Sequence, residues 1–136
     1  MTDVHTTTQR SRNMSAIKGK GNQSTEIAFL RLLKKNKITG WLRHYRFLRG
    51  KPDFVFVGKK IAIFIDGCFW HGCPKCKLEP VTNKRFWAEK ISINKKRDVA
   101  VSKEIKKANW LVLRFWEHQI KKNPKSAIKK LKKYLN

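Results

Sequence analysis

The sequence predicts an α/β fold: a single domain in which a mixed β-sheet is flanked by helices. Three observations carry this expectation. Apolar residues fall in short segments, some with helical and some with strand periodicity, and not in one continuous run. The order helix, strands, helix, strand, helix sets a strand beyond a helix beside earlier strands, with helices on the sheet's faces. A chain of 136 residues builds one core and not two.

Residues 1–23 are polar, with Met14 and Ile17 as isolated apolar positions, and read as a basic arm before a domain over 24–136. Ser24 can cap a helix running to about Asn36, with Ile27, Leu30, Leu33 and Lys34 on one side. His44 to Phe47 is a short candidate strand. Asp53–Val57 and Ile61–Ile65 are β-branched and aromatic runs separated by Gly58-Lys59-Lys60, the pattern of a hairpin. Residues 66–80 form a loop rich in Gly, Cys and Pro. Helical character spans Asn83 to Asn109 with a break expected at Ser92, and Leu111–Phe115 reads as a further strand. Asn123-Pro124 starts a final amphipathic, Lys-rich helix ending near Leu135.

Lys and Arg number 33 against 9 acids, a formal charge of +24. Such an excess repels itself unless a polyanion is near, and nucleic acid is the usual one. An anionic membrane is the alternative, but no apolar run approaches the roughly 20 residues of a spanning helix. Met1 to Arg12 shows no apolar signal-peptide core. A soluble, intracellular, DNA-contacting monomer is expected, with no membrane partner. The cysteines Cys68, Cys73 and Cys76 fall within nine residues, a crowding that suits metal thiolates better than disulfides.

So few acids can be weighed singly. Asp3, Glu79 and Glu104 lie in polar surroundings and read as solvated charges. Asp53 opens a strand after Pro52, and Asp66 ends the partner strand. A hairpin turning about Lys59 sets Asp53 opposite Ile65, with Asp66 adjacent. Carboxylates and a backbone carbonyl at one sheet end suit a hard divalent cation, although both Asp positions are common without one. Glu26 shares a helix face with Leu30 and Leu33, and Asp98 is spaced seven from both Ile91 and Ile105. An inward carboxylate is costly unless paired or metal-bound. Pro52-Asp53, then twelve residues, then Asp66 resembles the PD-(D/E)xK nuclease core. The Lys that core carries two residues after its second acid is here Cys68.

The stretch 66–76 reads DGCFWHGCPKC, a C-x4-C-x2-C spacing. Tetrahedral zinc needs a fourth ligand, and His118, beyond the last strand, or His44 is available. A 2Fe–2S cluster begins with this spacing too, but the chain holds no fourth cysteine. His71 lies between the first two cysteines beside the acids, where a neutral imidazole can take a proton from water. Phe69 and Trp70 on this loop either pack around the metal or stack between bases.

Taken in order, Pro52-Asp53-Phe54-Val55, DGCFWHGCPKC, FWAEKI (86–91), Arg97-Asp98 and WLVLRFWE (110–117) resemble the very-short-patch repair (Vsr) mismatch endonucleases. RSRNMSAI (10–17) is similar to that family's N-terminal arm. The resemblance implies a PD-(D/E)xK-like nuclease core with a structural zinc. It also implies a Mg²⁺-dependent nick 5′ to the thymine of a T:G mismatch, the lesion left by deaminated 5-methylcytosine. By matching position, Asp53 and the Ile65 carbonyl would bind Mg²⁺ and His71 would activate water, with Glu26 and Asp98 supporting them. Asp66 joins them as a ligand or behind the ligands. Zinc would be held by Cys68, Cys73, Cys76 and His118. Phe69, Trp70 and Trp87 would wedge into the duplex from the major groove, and Met14 and Ile17 of the arm would enter the minor groove. The resemblance further implies a MutL-type repair partner and a prokaryotic, nucleoid-associated location. Where Asp66 stands, some members carry His. Two rivals are a restriction-type endonuclease on the same core and a non-catalytic, zinc-bearing DNA-binding module.

Overall fold

The structure, a computed structural model, describes residues 23–76 and 82–136. Its elements are α1 (23–35), β1 (Leu42–Arg43), β2 (Phe54–Phe56), β3 (Ile61–Asp66), α2 (Lys84–Lys107), β4 (Leu111–Trp116), α3 (Glu117–Lys122) and α4 (Pro124–Leu135). The strands form one sheet in the order β1-β2-β3-β4. β1, β2 and β3 pair antiparallel, and β3 pairs parallel with β4 across the α2 crossover. The expected single-domain α/β architecture with a mixed sheet is therefore present. Among the described residues no helix is long and apolar enough to cross a membrane.

Strand alternation divides the core in two. One face carries Phe54, Phe56, Ile61, Ile63, Ile65, Leu113 and Phe115 against α1, α3 and α4. The other carries Val55, Ala62 and Phe64 against Val101 and Ile105 of α2. With helices on both sides, β3 is buried along its whole length, as its unbroken apolar run requires.

The structure corrects four expectations and adds one helix. The buried stripe of α1 is Thr25, Glu26, Phe29 and Leu33, and Lys34 is exposed. Phe29 sets that rotation, because its ring packs at 5.0 Å from Phe54 and 5.4 Å from Phe115. Residues 44–47 are not a strand: pairing stops at Arg43, and His44 turns the chain with a φ of +51°. α2 is continuous through Ser92. The hairpin closes through a short 3-10 turn at Val57–Lys59, so Phe54 pairs with Ile63, a register one residue from that expected. A helix absent from the sequence reading, α3, follows β4 directly. Its start is held by the Gln119 side chain, which accepts a hydrogen bond from the Trp116 N–H at 2.8 Å. The arm expected over 1–23, with Met14 and Ile17, lies outside the described residues except for residue 23, which belongs to α1.

Candidate active site and metal centre

The end of β3 gathers the acids that the sequence analysis singled out, in two groups. The first combines Glu26 of α1, Asp53 before β2 and His44 after β1, with donor atoms all within 4.8 Å of one another. Asp53 is anchored there because its Oδ2 accepts the Ile65 N–H at 2.7 Å. Glu26 in turn accepts from Arg43 Nη2 at 3.3 Å and lies 3.6 Å from His44 Nε2. Burial pushes the Asp53 carboxyl up to about 8, helped by its hydrogen bond to Glu26 and by the charges of Glu26 and Asp66, while the Ile65 N–H pulls the other way. A buried carboxyl that keeps its proton between acid neighbours is one whose proton a divalent cation can displace. The donor set fits such an ion.

Asp66, His71 and Asp98 form the second group. His71 Nδ1 lies 2.5 Å from Asp98 Oδ2 and 3.9 Å from Asp66 Oδ1. The loop reaches α2 because Gly72, at φ +62°, lets the backbone come close: a Cβ there would lie 2.7 Å from both Ile91 Cγ2 and Lys95 Cε. Asn94 holds the same loop by donating its amide N–H to the Trp70 carbonyl at 3.0 Å, and Arg97 bonds the Asn94 oxygen. Burial raises the Asp66 carboxyl above its ordinary range, with His71 and Arg114 pulling it back. Arg114 occupies Asp66, donating from Nη1 to both carboxylate oxygens at 3.0 and 3.2 Å. Asp53 and Asp66 thus face one pocket but fall into different groups.

Asp53, Ile65, Asp66, His71, Asp98 and Arg114 line that pocket together. The sequence reading missed Arg114, together with Asn94 and Arg97. The visible signal for Arg114 was a cation inside the apolar β4 run, on the strand face shared with Val112 and Trp116.

A separate centre lies beside the site. Cys68, Cys73 and Cys76 place their sulfurs 3.4, 3.6 and 3.4 Å from His118 Nδ1. Zinc bonds of about 2.3 Å to sulfur and about 2.0 Å to nitrogen set tetrahedral S···N edges of about 3.5 Å. The four residues therefore fit a tetrahedral ion, and His44, the other candidate, stands in the carboxylate group. Without an ion, burial pushes the Cys68 thiol up to about 12, aided by Cys76 and Cys73. At Cys73 burial also raises the thiol, but the backbone N–H groups of Cys76 and Lys75 together with hydrogen bonds to the Cys76 and Cys68 side chains bring it below its ordinary value. A dication would deprotonate the set.

Phe69, Trp70, Phe86 and Trp87 form one cluster. Trp70 packs 5.3 Å from Trp87, Phe69 lies 5.7 and 5.8 Å from the two, and Phe86 meets Trp87 edge-to-face at 5.0 Å. Trp70 and Trp87 are only 7% and 9% exposed, whereas Phe86 is 55% exposed.

Comparison with known proteins places this geometry in context. The family model described as DNA mismatch endonuclease Vsr matches residues 2–78. The chain is 40% identical to the type II nicking enzyme V.NaeI of Lentzea aerocolonigenes over 113 residues, covering 81% of this chain and 68% of that protein. It is 35% identical to V.NmeDIP of Neisseria meningitidis serogroup C, covering 96% and 88%. It is 36% identical to DNA mismatch endonuclease Vsr of Escherichia coli K12, covering 86% and 74%.

Proposed function

Because the chain belongs to the Vsr family of DNA mismatch endonucleases, we propose that it nicks double-stranded DNA 5′ to the thymine of a T:G mismatch, initiating very short patch repair of deaminated 5-methylcytosine. The observation that carries the chemistry is the His71–Asp98 pair facing the same pocket as Asp53. With Nδ1 engaged by Asp98, the other ring nitrogen, Nε2, is the one left to accept a proton from water. Asp98 fixes the tautomer and stabilises the imidazolium that forms.

Asp53, with the Ile65 carbonyl and Glu26 behind it, would hold Mg²⁺, which supplies Lewis-acid polarisation of the phosphate and charge stabilisation at the leaving oxygen. Cys68, Cys73, Cys76 and His118 would hold a structural zinc that braces the loop bearing His71. The basic surface binds the duplex backbone without regard to sequence. Aromatic residues of the loop cluster locate a weakly stacked step, with Phe86 the most exposed of them and Phe69, Trp70 and Trp87 behind it. In this reading the chain works as a monomer on the nucleoid of a prokaryotic cell, with a MutL-type protein as a further partner.

The non-catalytic DNA-binding module is not favoured, since the relatives are named endonuclease and nicking enzymes and such a module has no use for a half-buried His–Asp pair. Replacing Asp53 by Ala tests the proposal. Nicking should be lost while duplex binding persists, because the cationic surface that supplies most affinity is untouched. Nicking near the unmutated rate would remove Asp53 from the active site.

A further inference from the structure

Arg114 is bonded to more parts of the site than its place in an apolar strand suggests. It stands on β4 paired with Phe64 of β3. Its Nε donates to Ser102 Oγ at 3.1 Å, its Nη1 to both oxygens of Asp66, and its Nη2 to the Asp98 carbonyl oxygen at 3.2 Å. The guanidinium lies 4.3 Å over the Phe64 ring, and Nη1 is 3.9 Å from Asp98 Oδ1.

We propose that Arg114 is a positioning residue for the nicking reaction. It ties Asp66 at the end of β3 and Asp98 on α2 into one frame, and that frame fixes the His71 ring with Nδ1 on Asp98 and Nε2 free to take a proton. The inference rests on the reading of His71 as the base. Its physical ground is the shape of the group. A guanidinium donates only in its plane and in fixed directions, so partners bonded at Nε, Nη1 and Nη2 are set in angle as well as distance. The Phe64 face beneath it restrains the plane from swinging. Asp66 and Asp98 come from different layers of the fold, a strand and a helix, so their relative placement needs such a brace. A base displaced by an ångström loses much of its effect. Direct contact with a DNA phosphate is the competing use of this cation. It is disfavoured because three nitrogens already have protein partners and the side chain is only 24% exposed.

The test uses the zinc-loaded full chain and has two readouts at one fixed pH: the ¹⁵N shifts of the His71 ring, and single-turnover nicking beside duplex Kd. The unmutated chain should show one His71 tautomer, protonated at Nδ1. Arg114→Met should show mixed tautomers and a nicking rate reduced about 10–100-fold, less than the loss of a whole base. Its Kd should stay within about threefold. Guanidinium ion should restore part of the rate to Arg114→Ala when NaCl at equal ionic strength does not. Arg114→Met leaves a buried carboxylate uncompensated, so Asp66→Asn/Arg114→Met provides a fold-preserving control, with the same tautomer mixture and slow rate expected. Three results would overturn the proposal. These are an unchanged tautomer and rate in Arg114→Met, a weakened Kd with an unchanged single-turnover rate, or a double variant restored to full rate. If the unmutated chain nicks neither T:G nor matched duplex, the functional reading fails, and the tautomer comparison still decides whether Arg114 holds His71.

Discussion

Asp53→Asn should make the zinc-loaded, Mg²⁺-free protein more stable while destroying its activity. The wild-type carboxyl is buried beside Glu26 and held up to about 8, against an ordinary value of 3.8. A group whose folded value is raised contributes stability at low pH that is lost as pH rises toward that value. Each unit costs the native state about 1.4 kcal/mol, so at pH 7, roughly three units above 3.8, the deficit is about 4 kcal/mol. Asparagine keeps an oxygen for the Ile65 N–H and adds an N–H for Glu26, with no proton to lose. The variant's advantage should therefore grow from about 2 kcal/mol at pH 5.5 to about 4 kcal/mol at pH 7, and level off above pH 8. The assay is denaturant unfolding of both chains, zinc-loaded and without Mg²⁺. Chelators are avoided because they would also strip the cysteine site. Equal stability differences at pH 5.5 and 8.5, or a less stable variant at pH 8.5, would refute the shared buried proton. Mg²⁺ affinity of the wild type should rise with pH over the same window, since binding displaces that proton.

Three further outcomes rest on the same structure. Purified protein should carry about one zinc per chain, and Cys68→Ser should lose the metal and the fold together, because structural zinc binding is folding free energy in a small domain. A metal-free Cys68→Ser protein with unchanged melting would dismiss the centre, as read by metal analysis beside calorimetry. Trp70→Ala should destabilise the protein by about 3–5 kcal/mol, the range for truncating a buried Trp. Phe86→Ala should leave melting unchanged and weaken T:G duplex binding by about 1–3 kcal/mol, the scale of one lost stacking contact. A Phe86→Ala chain that binds T:G duplex as tightly as wild type would exclude that ring from the DNA contact.

The central hairpin, β4 and α4 were legible because each is a continuous apolar or amphipathic run bounded by Gly, Pro or Asn. The acids of the site were legible for a simpler reason: in a chain with so few carboxylates, Glu26 and Asp98 on apolar helix faces demanded partners. What escaped was decided by tertiary contacts. The rotation of α1 follows from the Phe29 ring meeting Phe54 and Phe115, which no local period encodes. β1 ends where His44 takes a positive φ, and no Gly or Asn marks the turn. The hairpin register turned on whether the loop centred on Lys59 or one half-step earlier, a difference that the pattern of Gly58-Lys59-Lys60 does not resolve. The sequence left open whether Trp70 packs or stacks between bases, and its contact with Trp87, where both rings are buried, joins the loop to α2 in a way no local pattern encodes. Arg114 was passed over as one more cation among 33.

The central claim is that the pocket at the end of β3 cuts one strand at a mismatch. Strand-resolved mapping of cleavage tests it most directly, using T:G and matched duplexes labelled on either strand, with and without Mg²⁺. The account predicts a single Mg²⁺-dependent nick 5′ to the mismatched thymine, an intact guanine strand and an uncut matched duplex. Cleavage of both strands, or equal cutting of matched and mismatched DNA, would contradict it.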